Sequence, residues 1–256
     1  MNTAQTSLNY KFRAFSAVQR TMRRLTDKVT IIGPTTYNED GLTTTHAAPF
    51  LTDARFQEAY ELGRATGSWG GIDIRWRCFI CCWAASHASR LPGDFVECGV
   101  NRGGYSRAIA HYVDLPSTGK HFYLLDTFAG LADEYISDSE RALGRRAGGY
   151  DECYQDVVET FKGLPVRIIR GAVPETLGQV DADAISYLSL DMNCAAPEAA
   201  AIRHFWPRLV SGGIVVHDDY GFSGMDEQRR AMDEFAAEQN LKLLALPTGQ
   251  ALLLKP

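Results

Sequence analysis

The chain reads as an α/β protein, a seven-stranded doubly wound sheet over residues 91–256 behind an N-terminal helical and lid segment over residues 1–90. Three observations predict this. Apolar strand runs alternate with helical patterns from Phe95 onward, as expected of parallel strands joined by crossover helices. The first strand, Phe95-Val96-Glu97-Cys98, enters a glycine turn, Gly99 to Gly104, and then a helix. Two short apolar runs end the chain, joined by the turn Pro247-Thr248-Gly249-Gln250, which reads as a hairpin adding one antiparallel strand.

The elements follow in order. Before residue 30, Lys11, Arg13, Arg20, Arg23, Arg24 and Lys28 face the single acid Asp27. They suit a helix with a solvated basic face, the alternative being contact with a membrane surface. Residues 33–52 are rich in Gly, Pro and Thr and predict a mobile loop of the kind that covers an active site. Arg75 to Ala85 reads as a buried helix. Its Cys78, Cys81 and Cys82 act there as small apolar side chains, since no second Cys-x-x-Cys exists to complete a zinc tetrad.

At the glycine turn the pattern is Glu97-x-Gly99-x-x-x-Gly103. Dinucleotide sites open on glycine because a pyrophosphate must touch the first turn. A carboxylate in that position suits a ligand with an ammonium group and no phosphate, such as the amino-acid end of S-adenosylmethionine. Gly99 and Gly103 lack the Cβ atoms that would hold a ligand off the backbone, and Tyr105 and Ser106 open the helix beside it. The plainer alternative is an ordinary strand–turn–helix corner. A second strand, Phe122 to Phe128, carries an apolar run that ends in Asp126, placed to accept two ribose hydroxyls or else to cap a helix. The third, Val166 to Arg170, ends at Gly171-Ala172-Val173, which leave room for an adenine or simply form a turn before Pro174. Between these two strands, Asp133 to Tyr150 is an insert with Arg141, Arg145 and Arg146, expected to border an acceptor.

The fourth strand runs Ile185 to Asp191 and the fifth Gly213 to Asp219, with a helix from Pro197 to Leu209 between them. One crossover brings Asp191, Asp218 and Asp219 to a single crevice. Three such charges are costly to desolvate together unless a cation joins them, and oxygen ligands suit Mg²⁺, Ca²⁺ or Mn²⁺. Otherwise one of the pair caps a helix and the other faces water. A helix from Glu227 to Glu238 leads to strands Leu241–Leu246 and Ala251–Leu254.

Taken together, Asp94 to Gly104, Leu125-Asp126-Thr127-Phe128-Ala129-Gly130-Leu131, Asp191 and Asp218-Asp219-Tyr220 resemble the macrocin O-methyltransferase family, over residues 91–256. The resemblance implies a class I methyltransferase (Rossmann-like) sheet and S-adenosylmethionine- and Mg²⁺-dependent methylation of sugar hydroxyls on natural products. It implies that Glu97, Gly99 and Asp126 hold the cofactor and that Asp191, Asp218 and Asp219 hold the metal. Two departures stand out. The family places an acid two positions after the fourth-strand aspartate and then a Tyr-Glu-Ser/Thr run, where this chain has Asn193-Cys194-Ala195-Ala196-Pro197-Glu198. It also carries a histidine base after the second strand, and none occurs here between His121 and His204. The expected catalytic residues are therefore Asp191 and, as substitute base, His217. Competing readings are a catechol-type methyltransferase, a nucleotide- or S-adenosylmethionine-binding protein without transferase activity, and an NAD-dependent oxidoreductase, which Glu97 disfavours.

Composition narrows the classes further. At 256 residues with 45% hydrophobic content, the chain can bury one sizeable core, and a net charge of −5 carries no nucleic-acid footprint. No run spans a bilayer and no signal pattern opens the chain, so a cytoplasmic protein is expected, acting on a small molecule as a homo-oligomer.

Overall fold

The computed structural model describes residues 34–256, and the chain divides into two compact units, Met1–Thr52 and Asp53–Pro256. The basic stretch before residue 30 lies outside the described residues. In the first unit, β1 (Tyr37–Glu39) and β2 (Leu42–Thr44) pair antiparallel, with Tyr37 opposite Thr44. Their turn places Asp40 and Gly41 at φ 51° and 75°. An Asp-Gly pair favours a two-residue hairpin of this kind, so part of the expected loop is an ordered ribbon. A 3₁₀ turn, Pro49–Thr52, follows.

The second unit holds a seven-stranded sheet: β3 (Asp94–Cys98), β4 (Phe122–Asp126), β5 (Val166–Arg170), β6 (Ile185–Leu190), β7 (Leu209–His217), β8 (Leu244–Ala245) and β9 (Ala251–Leu254). The order is β5-β4-β3-β6-β7-β9-β8. Strands β3 to β7 are parallel, and β9 runs antiparallel to both β7 and β8. The terminal hairpin thus supplies the one reversed strand. Its helices are α1 (Ala54–Arg64), α2 (Arg75–Ala88), α3 (Gly104–Tyr112), α4 (Leu115–Thr118), α5 (Asp138–Ala142), α6 (Tyr154–Thr160), α7 (Ala195–Phe205) and α8 (Asp226–Glu238). Helices α1 and α2 belong to the same compact unit as the sheet, which begins at Asp53, the N-cap of α1. No helix among the described residues is long and apolar enough to cross a membrane.

Side chains alternate across each strand. Val96, Cys98, Tyr123, Leu125, Leu188, Leu190 and Val215 join one core with Ala201, Ile202 and Phe205 of α7 and Met232, Phe235 and Ala236 of α8. The intervening residues face α2 and α3. There Phe95, Phe122 and Tyr187 pack as an aromatic cluster, and Cys78, Cys81 and Cys82 of α2 are buried. All six cysteines are free thiols, as expected.

Two boundaries differ from the sequence reading. Helix α7 stops at Phe205 and Trp206–Arg208 form a 3₁₀ turn, so Leu209 begins β7. Pro207 has no N–H for the helical ladder. Strand β8 is only two residues long, and Leu241 is taken up by the turn that caps the C-terminus of α8. Asn240 turns left-handed at φ 55° and the Leu241 N–H returns to Ala236 O at 2.8 Å.

The glycines of the turn have a packing role that the sequence reading did not name. Gly99 has φ 86°, and a Cβ there would lie 1.9 Å from the Asp191 carbonyl oxygen. Gly103 has φ 82°, and its Cβ would lie 2.5 Å from Cε2 of Phe161. Both make room for this chain itself. Gly99→Ala is expected to lower the unfolding free energy by at least about 3 kcal/mol, combining left-handed strain with a backbone collision. Gly163→Ala, at φ 81° with nothing within 4 Å, should cost only about 1 kcal/mol. Urea denaturation of the two variants checks the difference, and equal losses would contradict it.

Candidate active site

The C-terminal ends of the parallel strands open into a cavity of about 310 Å³. Because alternation has period two, Glu97, Asp126, Asp191 and Asp218 all fall on the α2/α3 side of the sheet, opposite Val96, Leu125, Leu190 and Val215. All four acids line the cavity, with Asp219 beside them.

Glu97 is 1% exposed and accepts a short hydrogen bond from the Ser106 hydroxyl of α3. Burial pushes its carboxyl up to about 8, with Asp218 and Asp126 adding to the rise and Ser106 opposing it. Ser106 itself is not a lining residue, and its hydroxyl is directed to Glu97. Asp126 holds the glycine turn: one carboxylate oxygen accepts from the N–H groups of Val100 at 2.6 Å and Asn101 at 2.8 Å. The other accepts from Phe128 N at 2.7 Å, which closes a tight turn rather than capping a helix. A carboxylate has about four acceptor sites, and with three taken about one is left for a donor from the cavity side. Thr127 lines the cavity and donates to Gly130 O at 2.5 Å. Gly171, Ala172 and Val173 line it at the end of β5, while Gly103 does not reach it.

Asp191, Asp218 and Asp219 each place a carboxylate oxygen within 4.8 Å of the others. Burial and the charges of Asp218 and Asp219 push the Asp191 carboxyl well above its ordinary range, with Arg77 opposing. Arg77, from α2, is a residue the sequence reading missed. Its guanidinium donates to Asp218 at 2.7 Å, with the two side chains 14% and 4% exposed, and it stacks on Phe222. Gln250 of the terminal hairpin donates to the other Asp218 oxygen at 2.8 Å, and the Tyr105 hydroxyl lies at 3.5 Å. A basic residue running straight into an apolar stretch, Arg77 before Cys78-Phe79-Ile80, was the available signal. Glu198 was likewise missed. Buried at the start of α7, it accepts from Met192 N at 3.1 Å and is pushed up to about 8 by burial and Asp219.

His217 is corrected. It ends β7 on the α7/α8 side, is 1% exposed and does not line the cavity. Neither ring nitrogen has a hydrogen-bond partner, and burial pushes the imidazole down to about 3. Alternation sends it away from Asp218, so it reaches no acceptor.

The insert crosses this edge. Leu131 and Gly148 form an antiparallel bridge at its base, Ser137 caps α5, and Tyr135 and Tyr150 line the cavity.

A doubly wound parallel sheet with a reversed terminal strand, carrying acids at its C-terminal edge, defines the class I methyltransferase fold. The structure of the O-methyltransferase NovP matches it with a TM-score of 0.61 at 22% identity, over 70% of this chain and 79% of that one. A model of the macrocin-O-methyltransferase (TylF) family matches residues 73–245, and the chain belongs to that family. Among curated proteins, it is 31% identical to a tetracenomycin-C rhamnosyl 4'-O-methyltransferase of Streptomyces olivaceus, over 58% of this chain and 59% of that one. It is 27% identical to demethyldecarbamoylnovobiocin O-methyltransferase of Streptomyces niveus, over 59% of this chain and 60% of that one. The matches thus span about three fifths of these relatives' length.

Removing Arg77 leaves Asp218 buried without its guanidinium. Arg77→Met is expected to destabilise the protein by about 3 kcal/mol in chemical denaturation. A loss under about 1 kcal/mol would mean that the pair is solvated.

Proposed function

We propose that the protein is an S-adenosylmethionine-dependent O-methyltransferase that uses a divalent cation, Mg²⁺ by preference, and methylates a hydroxyl on the sugar of a glycosylated natural product. The observation that carries this reading is the convergence of Glu97, Asp126 and the Asp191–Asp218–Asp219 cluster on one cavity. Family membership supports the transferase class, and the rhamnosyl group in one relative's name supports a sugar acceptor.

The residues fit both groups. Glu97 is a buried carboxylate whose hydrogen-bond partner is a hydroxyl, which suits the ammonium of the cofactor's amino-acid end. Asp126 would take the ribose hydroxyls, and Gly171-Ala172-Val173 the adenine. When bound, S-adenosylmethionine supplies a methyl group already activated on a sulfonium. Asp191, Asp218 and Asp219 would hold the cation, an all-oxygen set suited to Mg²⁺. When bound, it supplies positive charge that acidifies a neighbouring hydroxyl. Arg77 and Gln250 orient Asp218, and all three carboxylates line the cavity. Tyr135, Tyr150 and Trp69 wall the cavity and limit water at the reacting oxygen. The acceptor's proton then leaves toward the carboxylate cluster, since His217 lies on the other side of the sheet.

Isothermal titration with S-adenosylhomocysteine, with and without Mg²⁺, tests the whole reading; a folded protein that binds neither ligand would refute it. The Glu97 carboxyl makes a sharper demand. Its folded value near 8 lies above the ordinary 4.5, so the ligand-free fold holds a proton that the unfolded chain releases. That contribution to stability is present below pH 4.5 and is lost as pH rises toward 8. An ammonium ligand favours the carboxylate, so binding below pH 8 should release close to one proton, and affinity should rise with pH up to about 8. Titration in buffers of different ionisation enthalpy measures the release, and Glu97→Gln should abolish it. Uptake of a proton would place the ammonium elsewhere.

Asp191→Asn keeps the shape and removes a charge. It should weaken Mg²⁺ binding at least about ten-fold while raising the melting temperature of the metal-free protein by relieving repulsion. Methyl transfer should stop in EDTA and return with Mg²⁺. Full activity in EDTA would remove the metal from the reading.

A further inference from the structure

The insert between β4 and β5 is fastened to the two loops that carry the carboxylate cluster. Arg145 makes the central contact. Its Nε donates to the Asn193 carbonyl at 2.6 Å, two residues beyond Asp191. Its two terminal nitrogens donate to the Gly224 carbonyl at 3.2 Å each, five residues beyond Asp219, and one also meets Met225 Sδ. One guanidinium therefore spans the loop after β6 and the loop after β7. Neighbouring bonds reinforce it. Glu140, 1% exposed, accepts from Ala195 N at 2.8 Å and from Ser137 N at 2.9 Å. Ser137 and Ser139 both donate to Glu227 of α8, the former at 2.7 Å.

Each loop has ties of its own, Met192 N to Glu198 at 3.1 Å and Gly221 N to Gly249 O at 2.6 Å, whereas Arg145 joins one loop to the other. Asp191 N and Asp218 N still reach the ladder, at Cys98 O (2.9 Å) and Leu190 O (3.0 Å). Beyond them the chain leaves the sheet, and Asn193 turns left-handed at φ 57°. How the two loops lie against each other beyond that point, and with them how the carboxylates at their roots are aimed, depends on the contacts that join them. A planar, forked guanidinium suits two carbonyls on separate segments, where a single ammonium would not.

We propose that Arg145 is a positioning residue, holding the loops after β6 and β7 at the spacing at which Asp191, Asp218 and Asp219 take a divalent cation together. The inference rests on the metal reading above. It predicts a sign that simple electrostatics does not. Arg145 brings positive charge to the edge where a cation binds, so charge alone would make its removal strengthen cation binding. Loss of position would weaken it.

Mn²⁺ titration of the full chain, read from the paramagnetic resonance of free Mn²⁺, separates the two. S-adenosylhomocysteine affinity and melting temperature report the fold in parallel. Arg145→Met should weaken Mn²⁺ binding about ten-fold, the size typical of outer partners to metal ligands, with S-adenosylhomocysteine affinity unchanged. Arg146→Met should match the wild type, because Arg146 donates only to Arg141 O and Arg145 O within the insert. Arg145→Lys keeps the charge and loses the fork, so it too should bind Mn²⁺ more weakly than wild type; it decides alone should the Met variant fail to fold. Unchanged or tighter Mn²⁺ binding by the folded variants would overturn the role of Arg145 while leaving the metal reading intact. Failure of the wild type to bind Mn²⁺ would overturn the metal reading, and this inference with it.

Discussion

Like charge accumulates at the C-terminal edge of this sheet because its strands are parallel and their side chains alternate. Glu97, Asp126, Asp191 and Asp218 end four adjacent strands on one face, and Asp219 joins them. Their mutual repulsion and desolvation set what the surroundings must supply. The protein meets part of that demand. Arg77 and Gln250 engage Asp218, Ser106 engages Glu97, and backbone N–H groups of the glycine turn engage Asp126. In the proposed function, cations meet the rest of that demand, the cofactor's ammonium at Glu97 and a divalent ion at the Asp191–Asp218–Asp219 cluster.

The same edge explains the glycines. Parallel strands bring the loop after β3 against the loop after β6, and only a residue without Cβ lets the Asp191 carbonyl come so near Gly99. Loop-on-loop packing therefore preorganises the carboxylates, and the glycine that permits it, Gly99, itself lines the cavity. Asp126 contributes to the same end, tying the turn after β3 to the end of β4. Cavity-lining residues and framework residues are here largely one set.

Much of this architecture was legible in the sequence. Apolar runs bounded by turn signals located the parallel strands, the four-residue turn at Pro247 located the reversed strand, and strand-end position named Glu97, Asp126, Asp191, Asp218 and Asp219 as neighbours. Local chemistry decides these features. A strand's period is two wherever it lies, and a crossover helix of ordinary length places successive strand ends together.

What only the tertiary structure decided are contacts between residues far apart in the chain. Arg77 reaches Asp218 across 141 positions, and Arg145 reaches Asn193 and Gly224 across 48 and 79. No local pattern encodes such distances, because they follow from how α2 and the insert lie against the finished sheet. His217 shows the converse limit. Sequence adjacency put it beside Asp218, but adjacency along a strand sends successive side chains to opposite faces, and burial among α7 and α8 removed it from the site. The sequence by itself determined which acids meet; the packing of helices and loops determined which cations answer them.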